Sequence, residues 1–501
     1  MAEIRLGEIM TPDPLTTPPQ ATLAEAASAM RERKVGSTVV CDQGTVVGIL
    51  TERDLVRAAG DGADPNSTRV EQWMTRSPVT MTPADDITHA LDRMLDRGFR
   101  HLPILDGEGL TGIVSLRQLI AAARIRKVDP WSPGTGRGLE NVTVAETELS
   151  FIDGQAGRLI YRGYNAVELA LHKTFNDVWH LMFYGSLPTG DEFSRRTAEL
   201  RGLPLDVQTL RDLAASHGTF MSTLQAAISA AGASMGLKPW LDDDPSAAEK
   251  AALKLGAVVP TIVTALWRLE QGLEPVDPDP NLSHAANYLW MMHGDKPTDD
   301  QVVATDRYLV LLAEHGMNAS TFTGRVIAST GADVGSAVAG AAGALSGPLH
   351  GGAPSLVLDM LDEIGAPELA QEWIQEAVRR GKRIMGFGHR VYKAEDPRAA
   401  CFRETAIELG SERVALAKVV ETATLETLRA AKPGRALYTN VEYWSAVVLE
   451  RAGIPRKLFT PTFAVARTIG WTAHILEQVR DNRLIRPSAD YTGPTGLSVT
   501  G

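Results

Sequence analysis

Residues 384–399 read IMGFGHRVYKAEDPRA, and the fold turns on how the two glycines in this stretch are taken. A Gly-x-Gly ahead of charged residues suggests the phosphate-binding turn of a parallel α/β sheet. That turn needs a strand before it, a third glycine, a helix after it and an acid downstream. No such unit surrounds GFG here. The flanking chain instead runs in long helical periodicities, as in LPLDVQTLRDLAASHGTFMSTLQAAISAA from Leu203 and SERVALAKVVETATLETLRAA from Ser411. The chain from about residue 141 to 501 is therefore expected to be mostly α, with one small strand element near TELSFIDGQAGRLIYRGY from Thr147.

The N-terminal part reads differently. MTPDPLTTPPQATLAEAASAM from Met10 is echoed by MTRSPVTMTPADDITHALDRM from Met74, an offset of 74 − 10 = 64 residues. Pro14 pairs with Pro78, Met30 with Met94, Asp42 with Asp106, Gly48 with Gly112 and Thr51 with Ser115, without a gap. Each copy reads as strand, amphipathic helix, short apolar strand (STVVCD or HLPILD), turn, strand (VVGIL or LTGIV) and a second helix. The repeats span about 6–62 and 70–126, and the Pro- and Gly-rich segment 127–140 reads as a linker.

Two such units in tandem resemble a CBS-domain pair, or Bateman module, over residues 1–126. The family signature, Gly-apolar-x-Ser/Thr-x-x-Asp, is matched by GILTERD, with Thr51, Arg53 and Asp54. The resemblance implies an α/β pair that binds an adenine nucleotide (AMP, ADP or ATP) between its copies. A hydroxyl and helix-start amides suit a phosphate, and a carboxylate suits ribose hydroxyls. In the second copy the run is GIVSLRQ, so Gln118 replaces the acid and a weakened second site is expected. Thr51 and Asp54 are equally the residues that cap a helix. Arg97 and Arg100 suit either a phosphate or the solvated end of a helix.

Composition bounds the partners. The 501 residues, 44% hydrophobic and 22% charged, require more than one domain. A net charge of −11 disfavours nucleic acid and anionic membrane surfaces. Cys41 and Cys401 alone make no disulfide framework, and MAEIRLGEIMTPDP lacks the basic end and apolar core of an export signal, so a cytoplasmic location is expected. The apolar run VGSAVAGAAGALSGPL from Val334 is too short to span a bilayer and reads as a tightly packed internal helix.

Beyond the linker, EHGMNASTFTGRV, GPLHGGAPSLVLDML, the stretch 384–399, NVEYWSAVVL and RPSADYTGP follow in the order seen in the citrate synthase family, which the chain resembles over about 140–495. The resemblance implies an all-helical fold of large and small subdomains and a homodimer or higher homo-oligomer. It implies condensation of acetyl-CoA with oxaloacetate, with no tightly bound cofactor and no metal. The histidine spacings also lack a metal-ligand pattern such as HExxH.

The implied roles fall on particular residues. His350 holds the thioester carbonyl while Glu442, where the family usually has Asp, removes a methyl proton. His389 polarises the keto oxygen of oxaloacetate. Arg398 grips a carboxylate of oxaloacetate, and His315, Arg467 and Arg486 stand around that substrate, the last usually reaching in from the other subunit. Lys382, Arg383 and Lys393 suit the phosphates of coenzyme A or simple solvent exposure. Gly386 and Gly388 leave room for cofactor and substrate. A helix start after His350 would keep its ring neutral, and Pro354 stands where the family often has Asn. Two alternatives stay open: a 2-methylcitrate synthase using propionyl-CoA, and a catalytically inactive nucleotide-binding scaffold.

Overall fold

A computed structural model describes residues 5–107, 109–119, 139, 142–242, 245–351, 354–388, 391, 392, 394–431, 437–489, 491, 493 and 495. The expected linker lies outside these residues except for Leu139, as do His389 and Lys393. The chain forms two compact units, Met1–Glu146 and Thr147–Gly501.

In the first unit the two repeats build matching hairpins. Ser37–Asp42 pairs antiparallel with Thr45–Thr51, and His101–Asp106 with Gly109–Ser115, each with a register shift at the equivalent place, Val40/Cys41 and Ile104/Leu105. The short strand near the start of each repeat crosses to the hairpin of the other: Thr11–Pro12 pairs with Gly109–Ser115, and Thr75–Arg76 with Thr45–Thr51. Gly48 and Gly112 permit the crossing, because a Cβ at either would strike the sulfur of Met74 or Met10. The helices Leu23–Arg33, Glu52–Gly60 and Ile87–Arg97 pack their apolar faces on these sheets, giving one small core around Leu23, Val40 and Leu50 and another around Met81, Ile104 and Val114.

The second unit opens with a hairpin, Ser150–Asp153 against Arg158–Tyr161, extended by Tyr164–Asn165, and is helical thereafter. The helices Pro245–Glu270 and Phe459–Arg480 pack on each other through the core, the second carrying buried Trp471, and Gly256 of the first lies directly on the ring of buried Trp179. Pro245–Glu270 is long and apolar enough to cross a membrane by length and composition, yet 83% of its apolar window is buried inside the protein, as suits a core helix. The Gly/Ala helix Val334–Leu345 packs directly on Phe220–Ser234. A Cβ on Gly335 would come within 3.2 Å of the Gly232 Cα, so the two backbones touch where side chains would normally separate them.

Candidate active site

Backbone pairing brings the stretch that begins at Ile384 against the start of the helix Val441–Arg451. Asn440 N donates to Gly386 O at 2.9 Å, Gly388 N to Tyr438 O at 2.8 Å, and Asn440 Nδ2 to Gly388 O at 3.1 Å. The same Asn440 caps the helix, its Oδ1 accepting from Glu442 N at 3.0 Å. Glu442 is thereby fixed in a first helical turn beside the glycine stretch. Gly386 and Gly388 have φ of +82° and +86°, and a Cβ at Gly386 would lie 2.8 Å from the Tyr443 Cβ. Here the glycines serve a left-handed turn and close packing on Tyr443.

Burial pushes the Glu442 carboxyl up to about 7, against the pull of Arg383 and Arg398. Arg398 donates to both oxygens of Asp396, Nε at 3.0 Å and Nη2 at 2.8 Å, while Asp396 also caps their shared helix through Arg398 N at 3.0 Å. Burial works against the Arg398 cation, and Asp396 outweighs it, holding the group above the ordinary arginine range. The guanidinium lies 5.9 Å from the Tyr392 ring centre, and Tyr392 Oη stands 3.3 Å from His315 Nε2.

Arg467 is fully buried over the Phe463 ring and donates from Nε to Leu312 O at 2.7 Å. Desolvation lowers it to about 10, with Glu314 opposing. Glu314 is itself fully buried, one oxygen 3.0 Å from Ser150 Oγ and 3.1 Å from His474 Nε2. Burial would raise the Glu314 carboxyl, but His474 and Arg467 together bring it below the usual range.

His350 is lowered to about 4, so its ring is neutral at ordinary pH. The cause differs from the expected helix start: burial comes first and the Arg467 charge second. Its Nε2 lies 2.8 Å from Ser320 Oγ and 3.4 Å from the Ser320 amide. That hydroxyl accepts from Trp471 Nε1 at 3.0 Å and also faces Asn318 Oδ1 at 2.7 Å.

Arg383 is exposed, yet its charge reaches Glu442. Two of the remaining sequence candidates have no contact with this group among the described residues: Lys382 is held by Glu363 at 3.0 Å and lies over the Trp373 ring, and Arg486 is exposed on the tail after the last helix. Pro354 opens the helix Pro354–Ile364. Sequence reading missed Ser320, Glu314, Tyr392 and Asp396. Only Asp396 carried a signal, since Asp-Pro before a helical run is a cap followed by proline at the first helical position.

In the first unit, a cleft of about 500 Å³ is lined by Thr51, Arg53 and Asp54 of one repeat and Arg97 and Arg100 of the other. Asp54 is engaged within it: Oδ2 accepts from Thr51 N at 2.9 Å and Oγ1 at 2.8 Å, and Oδ1 from Arg57 at 2.7 Å. Gln118 occupies the equivalent position and goes further. Its Oε1 accepts from Ser115 N and Oγ, both at 2.8 Å, while its Nε2 donates to Thr11 Oγ1 at 2.8 Å and Ile9 O at 3.2 Å.

The family model "Citrate synthase, C-terminal domain" matches residues 138–488, and the CBS domain model matches 6–61 and 70–124. The chain belongs to the citrate synthase family. This member carries two CBS domains ahead of its catalytic domain. It is 41% identical to a citrate synthase of Haloferax volcanii, over 73% of this chain and 97% of the relative. It is also 41% identical to a putative citrate synthase 2 of Mycobacterium tuberculosis, over 71% and 92%. The crystal structure of citrate synthase from Pyrobaculum aerophilum superposes with a TM-score of 0.66 at 39% identity, covering 72% of this chain and 93% of that one. Citrate synthase from Thermoplasma acidophilum, solved as a ternary complex with carboxymethyl coenzyme A and oxaloacetate, gives 0.66 at 31% identity over 72% and 97%. Fold and enzyme class therefore agree with the reading of the motifs.

Proposed function

We propose that the enzyme condenses acetyl-CoA with oxaloacetate, giving citrate and free coenzyme A, with Glu442 as base. The observation that carries this is a buried carboxylate, pushed up to about 7, fixed on a helix start among Arg398, Arg383 and the glycine stretch. A carboxylate near neutrality is better matched to removing a carbon-bound proton than an ordinary one. The proton is still far too weakly acidic unless the thioester carbonyl is stabilised, and neutral His350 serves that need. The Ser320 amide can only donate, so its approach to Nε2 selects the tautomer with the ring proton on Nδ1, where it is available to the carbonyl oxygen.

The enol carbon then forms a bond to the keto carbon of oxaloacetate, whose oxygen takes up a proton from His389. Water cleaves the resulting thioester, releasing the thiol. Arg467 and Arg398 hold the two carboxylates through charge-assisted hydrogen bonds, with Arg486 from a second subunit of a homodimer as a third cation. Ligands of this kind are named for the Thermoplasma acidophilum structure, which supports the same substrate pair here.

In the first unit we assign the cleft at Thr51 and Arg53 to an adenine nucleotide. Asp54 acts there chiefly by holding Thr51 and Arg57 in place. A nucleotide regulates the enzyme only to the extent that it binds active and inactive conformations unequally. The test is thiol release with acetyl-CoA and with propionyl-CoA, each with and without oxaloacetate and AMP, ADP or ATP. Oxaloacetate-dependent release favouring acetyl-CoA supports the proposal. Preference for propionyl-CoA makes the enzyme a 2-methylcitrate synthase, and no release with either overturns the assigned base.

A further inference from the structure

Behind the turn that carries Glu442, a buried acid joins the two segments flanking it. Glu421 lies on the helix Val414–Ala431 and is 7% exposed. Its Oε1 accepts from Thr439 Oγ1 at 2.6 Å and from Trp444 Nε1 at 3.0 Å, and its Oε2 from Arg403 Nη1 at 3.5 Å. Thr439 and Trp444 are themselves buried, so their hydrogen bonds to Glu421 form out of water, where they are stronger.

The two donors stand on either side of the base. Thr439 precedes Asn440, which caps the helix Val441–Arg451 through Glu442 N and is bonded to both Gly386 O and Gly388 O. Trp444 lies two residues beyond Glu442, in the first turn of the same helix. Between them, Tyr443 donates from Oη to Ala417 O at 2.8 Å, one helical turn before Glu421. The helix Val414–Ala431 therefore grips residues 439, 443 and 444, and none of these bonds involves the Glu442 side chain.

This grip sets a direction. Successive side chains on an α-helix are about 100° apart, so holding Tyr443 and Trp444 against one neighbour fixes the rotation of their helix and places Glu442 about 150° round from the middle of that contact. A helix start held by its cap alone is free to fray. Arg403 extends the link. It lies on Pro397–Glu408, the helix whose first turn carries Arg398, and it also pairs with Glu395 at 3.0 Å. Glu421 thus touches both the helix bearing the base and the helix bearing Arg398. We infer that Glu421 is a positioning residue for the condensation: by accepting from Thr439 and Trp444 it sets the direction of the Glu442 carboxyl. The inference rests on Glu442 being the base, as proposed above.

The test compares Glu421→Met and Glu421→Gln in the full-length enzyme by steady-state thiol release, with Glu421→Met repeated in the Glu442→Gln background. Methionine fills the space with only a weak acceptor, whereas glutamine keeps one oxygen that can accept from both donors. Glu421→Met should lower kcat about tenfold to a hundredfold with the KM of each substrate within about twofold, and Glu421→Gln should bring kcat back to within about threefold of the wild type. In the Glu442→Gln background the residual rate no longer depends on where a base is aimed, so Glu421→Met should lower it no further. Thr439→Val removes one donor with little change of shape and takes the same readings if Glu421→Met does not fold, with a fall of about threefold to tenfold. An unchanged kcat, or a fall shared with a large rise in KM, overturns the inference. So does a further fall in the Glu442→Gln background, the mark of general damage to the site. Glu421→Gln as slow as Glu421→Met overturns the hydrogen bonds as the cause. A wild-type rate in Glu442→Gln on its own is a separate failure: it overturns the base, and the inference falls with it.

Discussion

Replacing Glu442 by Gln should remove activity and stabilise the protein, and both effects follow from one cause. Folding moves the carboxyl from 4.5 to about 7, chiefly through burial. An acid raised in this way binds its proton more tightly in the folded state. The stability it contributes is complete below 4.5 and is lost as pH rises through about 7. At about 1.36 kcal/mol for each pH unit, the loss approaches 3 kcal/mol above neutrality. Glutamine keeps the shape and carries no charge, so Glu442→Gln should match the wild type near pH 5 and exceed it by up to about 3 kcal/mol near pH 8. With an unfolding entropy of about 2.1 cal/mol/K per residue over roughly 350 residues, that is a rise in Tm of about 4 °C. Urea and thermal unfolding of both proteins at the two pH values check the stability, and thiol release checks for the accompanying loss of about 10²–10⁴ in rate. A stability gain of equal size at both pH values, or a loss near pH 8, would refute the argument that an ionised, desolvated carboxylate is held at this helix start.

The other expectations are briefer. The acid limb of kcat/KM should fall about tenfold per pH unit below about 7, following Glu442, because His350 at about 4 is already neutral; a plateau extending to pH 5 in the thiol assay contradicts this. Ser320→Ala should lower kcat by about tenfold to a hundredfold with little change in substrate KM, because it frees the His350 ring; steady-state kinetics decide. Gly386→Ala drives a Cβ into Tyr443 at a left-handed position and should cost on the order of 1–3 kcal/mol in urea unfolding, with a fall in kcat. Arg97→Ala and Arg100→Ala should each weaken nucleotide binding about fivefold to tenfold by calorimetry while leaving nucleotide-free activity alone; unchanged affinity would return them to solvated helix-end charges.

What could be read from the sequence was whatever has a period or a short local pattern. The 64-residue offset located matching hairpins because strand alternation and Gly48/Gly112 recur in register. The exchange of strands between repeats could not be read, because Thr11–Pro12 pairs about a hundred residues away and carries no mark of its partner. The ordered motifs pointed to His350 and Glu442, but not to what sets their protonation. For His350, adjacency in sequence suggested a helix start, whereas the controlling features are burial and Arg467, more than a hundred residues on. Tyr392 lay inside the opening stretch without being singled out, since a lone tyrosine there reads equally as core. Glu421 was invisible for the same reason, since a lone glutamate in a helical run reads as surface charge, and nothing local marks Thr439 and Trp444 as its partners.

The two buried arginines assigned above to oxaloacetate, Arg398 and Arg467, are chemically unlike, although the sequence presents them as equivalents. Arg398 commits two of its N–H groups to Asp396, an acid that the helix holds in place by making it the cap. That pairing fixes the direction of the guanidinium and cancels much of its charge before any substrate carboxylate arrives. Arg467 commits Nε to a backbone carbonyl, and the acid acting on it, Glu314, divides its charge with His474. Arg467 therefore keeps more uncancelled positive charge and has more to gain from an incoming dicarboxylate, while Arg398 supplies geometry. Truncating Arg467 should raise the KM for oxaloacetate more than truncating Arg398 does. Truncating Arg398 should fall more on kcat, because the Arg398 charge pulls the Glu442 carboxyl down, and its loss pushes that carboxyl further from the charged form a base requires.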